Sequence, residues 1–288
     1  MANIADFHCT FDNAAGIGAE LAKDLDLSFP DAYCHWETMA RIALHVKNQK
    51  KAAFCELPFC HTLEAEAMGG IVNLGDETAG PRARAYSCET ADDLLRLRAI
   101  DYESGRIHET LKACKYLHEK GEVPLLMMSG PFTILNVLID AANVFRYMRK
   151  EPEKMQLVFD KIQKELLRFV AKAVDYGAAI ISYADSAGSL RIVGPRYVEY
   201  MVGHFTAPFL KKAKEITDGK AILACCPKTS FALIGTDMAE WRDIPIEKPM
   251  PYMEAVLSVK EKLQIVGQMC VKNTGYTVQD AVKALALK

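Results

Sequence analysis

The chain has 288 residues and carries 35 Lys and Arg against 37 Asp and Glu, a formal charge of −2, so it offers no basic field for nucleic acid or an anionic membrane surface. Half of its residues are hydrophobic and a quarter are charged, which excludes a mainly disordered chain. The length suits one large α/β domain.

The opening MANIADFHCTFDNAAG has no basic start followed by an apolar core, and no apolar run approaches the roughly 18 residues that cross a bilayer. The expectation is a cytoplasmic protein with neither a membrane nor a nucleic-acid partner. Nine cysteines, an odd number at irregular spacing, read as reduced thiols rather than a disulfide framework.

In chain order, strand-length apolar runs occur at AAFCELPF (52–59), VPLLMMSG (123–130), AAIISYADSAG (178–188), AILACC (221–226), WRDIPIE (241–247) and QIVGQMCV (264–271). Between them lie stretches of helical period, two of which stop at Gly177 and Gly219, where a helix C-cap would precede the next strand. Strands alternating with helices predict a parallel sheet, and near-continuous apolar strands predict burial on both faces. No G-x-G-x-x-G or P-loop pattern is present, which turns the choice from a dinucleotide fold to a (β/α) barrel.

In a barrel the chemistry sits at the C-terminal ends of the strands. Those ends carry Glu56, with Cys60 and His61 just beyond, then Ser129, Tyr183 with Asp185, Cys225 with Cys226, and Cys270. Glu56 and Asp185 are candidate acids or bases, and His61, Ser129 and Tyr183 candidate substrate contacts. Successive strand residues face opposite sides, so Cys226 points inward with Ala224 while Cys225 packs against helices. Asp185, Cys226 and Cys270 would supply one carboxylate and two thiols for zinc, leaving a position open. The plain alternatives are buried bystander cysteines and a turn aspartate. Glu64 and Glu66 read as first-turn helix residues, and Tyr197, Tyr200 and His204 as helix packing.

LPFCHTLEAEAMGG, MMSGPFTILNVLI, YADSAGSLRIVGPRYVEYMVGHFTAPFLKKAKE and AILACCPKTS together resemble, over roughly residues 50–285, the uroporphyrinogen decarboxylase superfamily, and within it the cobamide-dependent methyltransferase branch. The resemblance implies a distorted (β/α)8 barrel, here one domain over 1–288 with an N-terminal helical extension over about 1–50. It also implies zinc, and a corrinoid supplied by a carrier protein that docks at the mouth. The Arg-rich MRQAGR segment and late Gly-His-Gly of the decarboxylases are missing. The His-x-Cys zinc motif is matched at Cys226, but Ala224 stands at its histidine, and the late Gly-Cys segment is absent.

These departures point to the O-demethylase type, which moves methyl from a methoxylated small substrate to the corrinoid, with Asp185, Cys226 and Cys270 as ligands. Alternatives are a coenzyme M-type thiol methyltransferase, a tetrapyrrole decarboxylase working through Glu56 or Asp185, and a corrinoid-binding protein without catalysis. The chain is also expected to stop one strand short of the family pattern, its last edge covered by the N-terminal helices or by a second subunit in a homodimer.

Overall fold

The computed structural model describes residues 4–11 and 15–288. Seven strands form the main sheet: β1 (Cys55–Leu57), β2 (Pro124–Ser129), β3 (Ile180–Ala184), β4 (Ile222–Cys225), β5 (Ala239–Pro245), β6 (Ile265–Val266) and β7 (Ala281–Leu287). Their order is β1-β2-β3-β4-β6-β7-β5. The first five in that order run parallel, as the alternation of strands and helices predicts. They make the wall of a distorted (β/α) barrel of TIM type. Two short antiparallel pairs, Ile71–Asn73 with Arg82–Ala85 and Met250–Pro251 with Thr277–Val278, stand outside it.

All six expected runs hold a strand, but the reading of the C-terminal end needs correcting. β7 occupies the C-terminal stretch where no strand was expected, and it pairs antiparallel with both β6 and β5. The reason lies in the connection: a parallel return needs a crossover, usually a helix, and residues 267–280 contain none. Among the described residues no ladder joins β1 to β5, so hydrogen bonding leaves a seam between the two ends of the sheet.

The helices that cover the sheet are α1 (Trp36–Lys50), α2 (Leu63–Met68), α3 (Gly105–Glu119), α4 (Pro131–Leu138), α5 (Pro152–Asp175), α6 (Ala207–Thr217), α7 (Pro227–Gly235) and α8 (Tyr252–Ser258). Helices α5 and α6 end just before Gly177 and Gly219, both at positive φ, as their sequence stop signals require.

Strand alternation divides the core in two. Leu125, Met127, Ile180, Ile222, Ala224 and Val266 face a cluster that α8 fills with Tyr252 and Val256. Leu126, Met128, Ile181, Tyr183, Leu223 and Cys225 face the helix layer, against Leu111 of α3, Phe169 of α5 and Phe209 of α6. Every residue of β2 is buried, which explains why its sequence shows no alternation. Burying each large apolar side chain contributes about 1.5–3 kcal/mol, so this double-sided packing fixes the strand ends on which the site is built.

Candidate functional site at the barrel mouth

The parallel strands finish at one rim. Beyond β4 the chain turns at once: Cys226 is the N-cap of α7, Pro227 its first residue, and the amides of Thr229 and Ser230 donate to the Cys226 carbonyl at 2.8 and 3.1 Å. Cys225 is buried in the helix-facing cluster, and Cys226 is half-exposed. Cys225 packs on the helix side as alternation predicts, while Cys226 lies one residue beyond the strand, and both line the same cavity.

That cavity measures about 210 Å³ and is lined by His61, Ser182, Cys226, Lys228, Cys270 and Lys272, with Cys9 and Phe11 of the N-terminal segment also against it. Cys270 is not at a strand end as expected; β6 stops at Val266 and Cys270 lies in the loop beyond. Burial pushes the Cys226 thiol up to about 12, and neighbouring Cys270 and Cys9 add to the shift, while the Lys228 amide works against it. Burial raises Cys270 too, opposed by the Lys272 amide. Both thiols are thus protonated at neutral pH, and a cation placed between them would reverse that.

His61 and Glu56 reach this mouth by different routes. His61 lies just before α2, where burial and then the Lys272 charge hold its pKa down to about 4, and its Nδ1 is buried without a hydrogen-bond partner. Glu56, in β1, makes an ion pair with Lys272 at 2.9 Å. Sequence reasoning overlooked Lys272, whose one available signal was its place two residues after Cys270.

Asp185 belongs to a different corner. Its carboxylate accepts from the Thr133 amide at 2.7 Å, the Thr133 hydroxyl at 2.9 Å and the Phe132 amide at 3.3 Å, tying the end of β3 to the first turn of α4. It borders a separate small cavity of about 30 Å³. Burial raises its pKa to about 6 against those hydrogen bonds. A Cβ on Gly130 would come within 2.4 Å of the Asp185 Cβ, so glycine is what allows this approach.

Ser129 and Tyr183 face away from the larger cavity. Ser129 is buried, with its amide donating to Glu64 at 2.8 Å and its hydroxyl to the His61 carbonyl at 3.3 Å. Tyr183 is buried against Phe209, and burial, with Asp185 nearby, keeps its phenol protonated. Glu64 and Glu66 do sit in the first turns of α2; Glu66 pairs with buried Arg106, whose Nε lies at 2.9 Å.

For zinc, the donor chemistry at the larger cavity fits: thiols and a buried imidazole nitrogen with no partner are ligands it takes. The carboxylate of Asp185 is committed elsewhere. Among the described residues no three His, Cys, Asp or Glu side chains stand grouped around a metal position. Among the described residues no helix is long and apolar enough to cross a membrane.

Comparison with known proteins agrees with this architecture. A methylcobamide:CoM methyltransferase MtaA from Methanosarcina barkeri is 25% identical over 224 residues, 77% of this chain and 64% of the relative, so the chain spans under two thirds of that protein's length. A methylcobamide:CoM methyltransferase MtbA from Methanosarcina mazei is 25% identical over 247 residues, 84% of this chain and 71% of the relative. Among solved structures, a methyltransferase from Methanosarcina mazei superposes with a TM-score of 0.64 at 21% identity, covering 78% of this chain and 68% of its own, which is a likeness of fold. Residues 17–284 match the family model described as uroporphyrinogen decarboxylase (URO-D), and with nearly the whole barrel inside that match, the chain belongs to the URO-D family.

Proposed function

We propose that the chain is a corrinoid-dependent methyltransferase, moving a methyl group between a small methylated or methoxylated substrate and the cobalt of a corrinoid brought by a carrier protein. The observation that carries this reading is one cavity at the strand ends lined by Cys226, Cys270 and His61, whose Nδ1 is buried without a partner, in a chain whose relatives are named for methylcobamide chemistry.

Zinc belongs to the reading through Cys226 and Cys270, with Asp185 as a third ligand if its carboxylate leaves Thr133 for the cavity. Bound there, zinc would supply Lewis acidity toward a substrate oxygen, or hold a substrate thiol as thiolate at neutral pH. The chain's own residues do the rest. His61, uncharged at neutral pH, offers the substrate a hydrogen bond. Glu56 fixes Lys272 at the wall, and Asp185 with Thr133 anchors the first turn of α4 beside the mouth. Met127 and Phe11 supply apolar surface to the cavity wall.

In the O-demethylase form, methyl leaves an ether oxygen for cobalt, and the support is Ala224 at the histidine position of the thiol-activating motif. The reverse transfer, from methylcobamide onto a small thiol, is favoured by the relatives' printed activity. Mixing the protein with a reduced corrinoid carrier and candidate donors, and following the cobalt spectrum, separates them. Donor-dependent conversion of Co(I) to methyl-Co(III) is expected for the first, and thiol-dependent demethylation of methyl-Co(III) for the second. A folded protein that catalyses neither and takes up no zinc ends the proposal.

A further inference from the structure

The sheet has a gap at the end of the barrel away from the mouth. β6 is two residues long, Ile265–Val266, whereas β7 runs from Ala281 to Leu287 and meets β6 at a single register pair, Ala284 with Val266. Past that pair β7 keeps β5 on one side, and on the other a cavity of about 320 Å³ opens between Leu285–Leu287 and the chain from Lys260 to Ile265. Small side chains leave the space open: Ala284, opposite Arg242 in the register, and Ala286, two residues on, both line it.

The backbone of β7 brings a donor to this gap. The Lys288 amide donates to the Met238 carbonyl at 3.0 Å, on the β5 side, while the Lys283 amide donates to the Gln268 side chain, on the β6 side. Backbone groups alternate in direction along an antiparallel strand, so those of Leu285 and Leu287 point to the same side as those of Lys283. Leu287 lies three residues past the Ala284 pair, where no strand of the described residues meets it on that side.

Four cations from separate elements border the same space: Lys214 in the last turn of α6, Arg242 of β5, and Lys260 and Lys262 in the turn before β6. Among the described residues Glu261 is the one acidic residue that lines it, and Glu240, opposite Ala286 in the register, does not. Glu261 approaches Lys260 at 4.0 Å, whereas Lys214, Arg242 and Lys262 have no ion-pair partner among the described residues. Like charges around one space repel, and an anion placed among them removes that cost.

We propose that this gap is a binding site for a small multivalent oxyanion of the diphosphate type, held by Arg242, Lys260 and Lys262 and joined by Lys214 and the Leu287 amide. Phosphate oxygens suit a guanidinium fork, ammonium groups and a backbone N–H together. The volume of about 320 Å³ stands at the lower end of the roughly 300–1,000 Å³ of ligand pockets, which suits an anion of few atoms. The site lies at the N-terminal ends of the strands, the end of a barrel that serves stability rather than chemistry, so it is independent of the methyl-transfer reading. A bound diphosphate ties β5, β7 and the turn before β6 together across the gap.

Calorimetric titration with inorganic pyrophosphate, without added metal and at about 0.15 M salt, tests this under conditions that screen exposed charges from one another. The parent protein is expected to bind pyrophosphate with one-to-one stoichiometry and orthophosphate at least about tenfold more weakly. Arg242 and Lys262 are exposed, so their replacement leaves the core intact. Arg242→Gln should weaken pyrophosphate binding by about tenfold or more, the scale of one charge-assisted hydrogen bond, and Arg242→Gln/Lys262→Gln should weaken it further. Ala286→Leu changes no charge but fills the space, and a loss of similar size is expected. Lys115→Gln on α3 removes a cation elsewhere and should change affinity by less than about twofold. Thermal unfolding gives a second readout: pyrophosphate should raise the midpoint of the parent and not that of the double variant, whose own cooperative transition shows it to be folded. A parent that does not bind, affinity retained in the double variant or in Ala286→Leu, or equal weakening by Lys115→Gln overturns the proposal.

Discussion

Two corners of the barrel mouth, both built on strand ends, treat their polar groups in opposite ways. Around Asp185 the donors of Thr133 and Phe132 converge on the carboxylate, and glycine at 130 lets the backbone close on it. Around Cys226 and Cys270 the thiols face a cavity, an imidazole nitrogen lacks a partner, and one ion pair lines the wall. Buried polar groups are normally satisfied within the protein. A carboxylate satisfied in this way works as framework even though the neighbouring Tyr183 hydroxyl is buried without a partner, and the thiols that line a cavity beside an unpartnered imidazole are the groups arranged for a ligand.

The sharpest way to break this contrast is at the adjacent cysteines. Cys226→Ser should abolish zinc uptake and lower methyl transfer by roughly 100-fold or more, the upper range for damage to a metal site. Cys225→Ser, placed in the helix-facing core, should leave metal content intact and cost about 1–2 kcal/mol of stability by burying a hydroxyl. Elemental analysis of both purified variants is the check; equal metal loss would mean that the two thiols share one role.

At the other corner the expected damage is to stability. Asp185→Ala strips the acceptor from two amides and a hydroxyl and should cost about 3 kcal/mol in denaturant unfolding. Asp185→Asn, which keeps one acceptor oxygen, should recover part of that. If Asp185 instead joins the zinc set, Asp185→Asn will lose metal while remaining nearly as stable as the parent. Gly130→Ala should cost about 2 kcal/mol, because its methyl would sit 2.4 Å from the Asp185 Cβ and 2.9 Å from the Tyr183 hydroxyl. Retained stability in that variant would mean that the corner has room to relax.

Much of this architecture is legible in the sequence, and what is not has identifiable physical causes. The inner parallel strands are legible because a strand buried on both faces leaves a continuous apolar signature, as β2 does, whereas β5 is exposed at several positions and carries no such signature. β7 escapes because Ala281–Leu287, interrupted by exposed Lys283, pairs antiparallel with a partner that lies far back in the chain. The same limit applies to the site. Strand alternation places Cys225 in the helix-facing core, since that follows from local geometry, whereas Cys226 is placed by the turn into α7. Cys270 with Lys272, and Cys9 from the N-terminal segment, enter the cavity through loop paths that no periodicity encodes. Asp185 stands at the right strand end but turns toward α4, a choice made by Thr133 and by the missing Cβ of Gly130, both distant in sequence from it.

The smallest expected effect concerns pH, and it compares the two corners directly. Burial lowers the folded pKa of His61 from 6.5 to about 4. Between those values the unfolded chain binds more protons at this site, so its contribution to stability is complete above about 6.5 and is lost as pH falls toward 4. Asp185 is displaced the other way, from 3.8 to about 6, so its contribution is complete below about 3.8 and is lost as pH rises through 6. The two slopes oppose each other, and the pH profile of the parent protein alone would hide both. Comparing the parent with His61→Gln cancels the Asp185 part. Relative to that variant, the parent should lose about 1–2 kcal/mol between pH of about 7 and about 4.5, less than the full shift implies because the imidazole borders a cavity. Parallel unfolding free energies across that range would mean that His61 titrates normally, and with it would go the uncharged hydrogen-bonding partner assigned to the cavity.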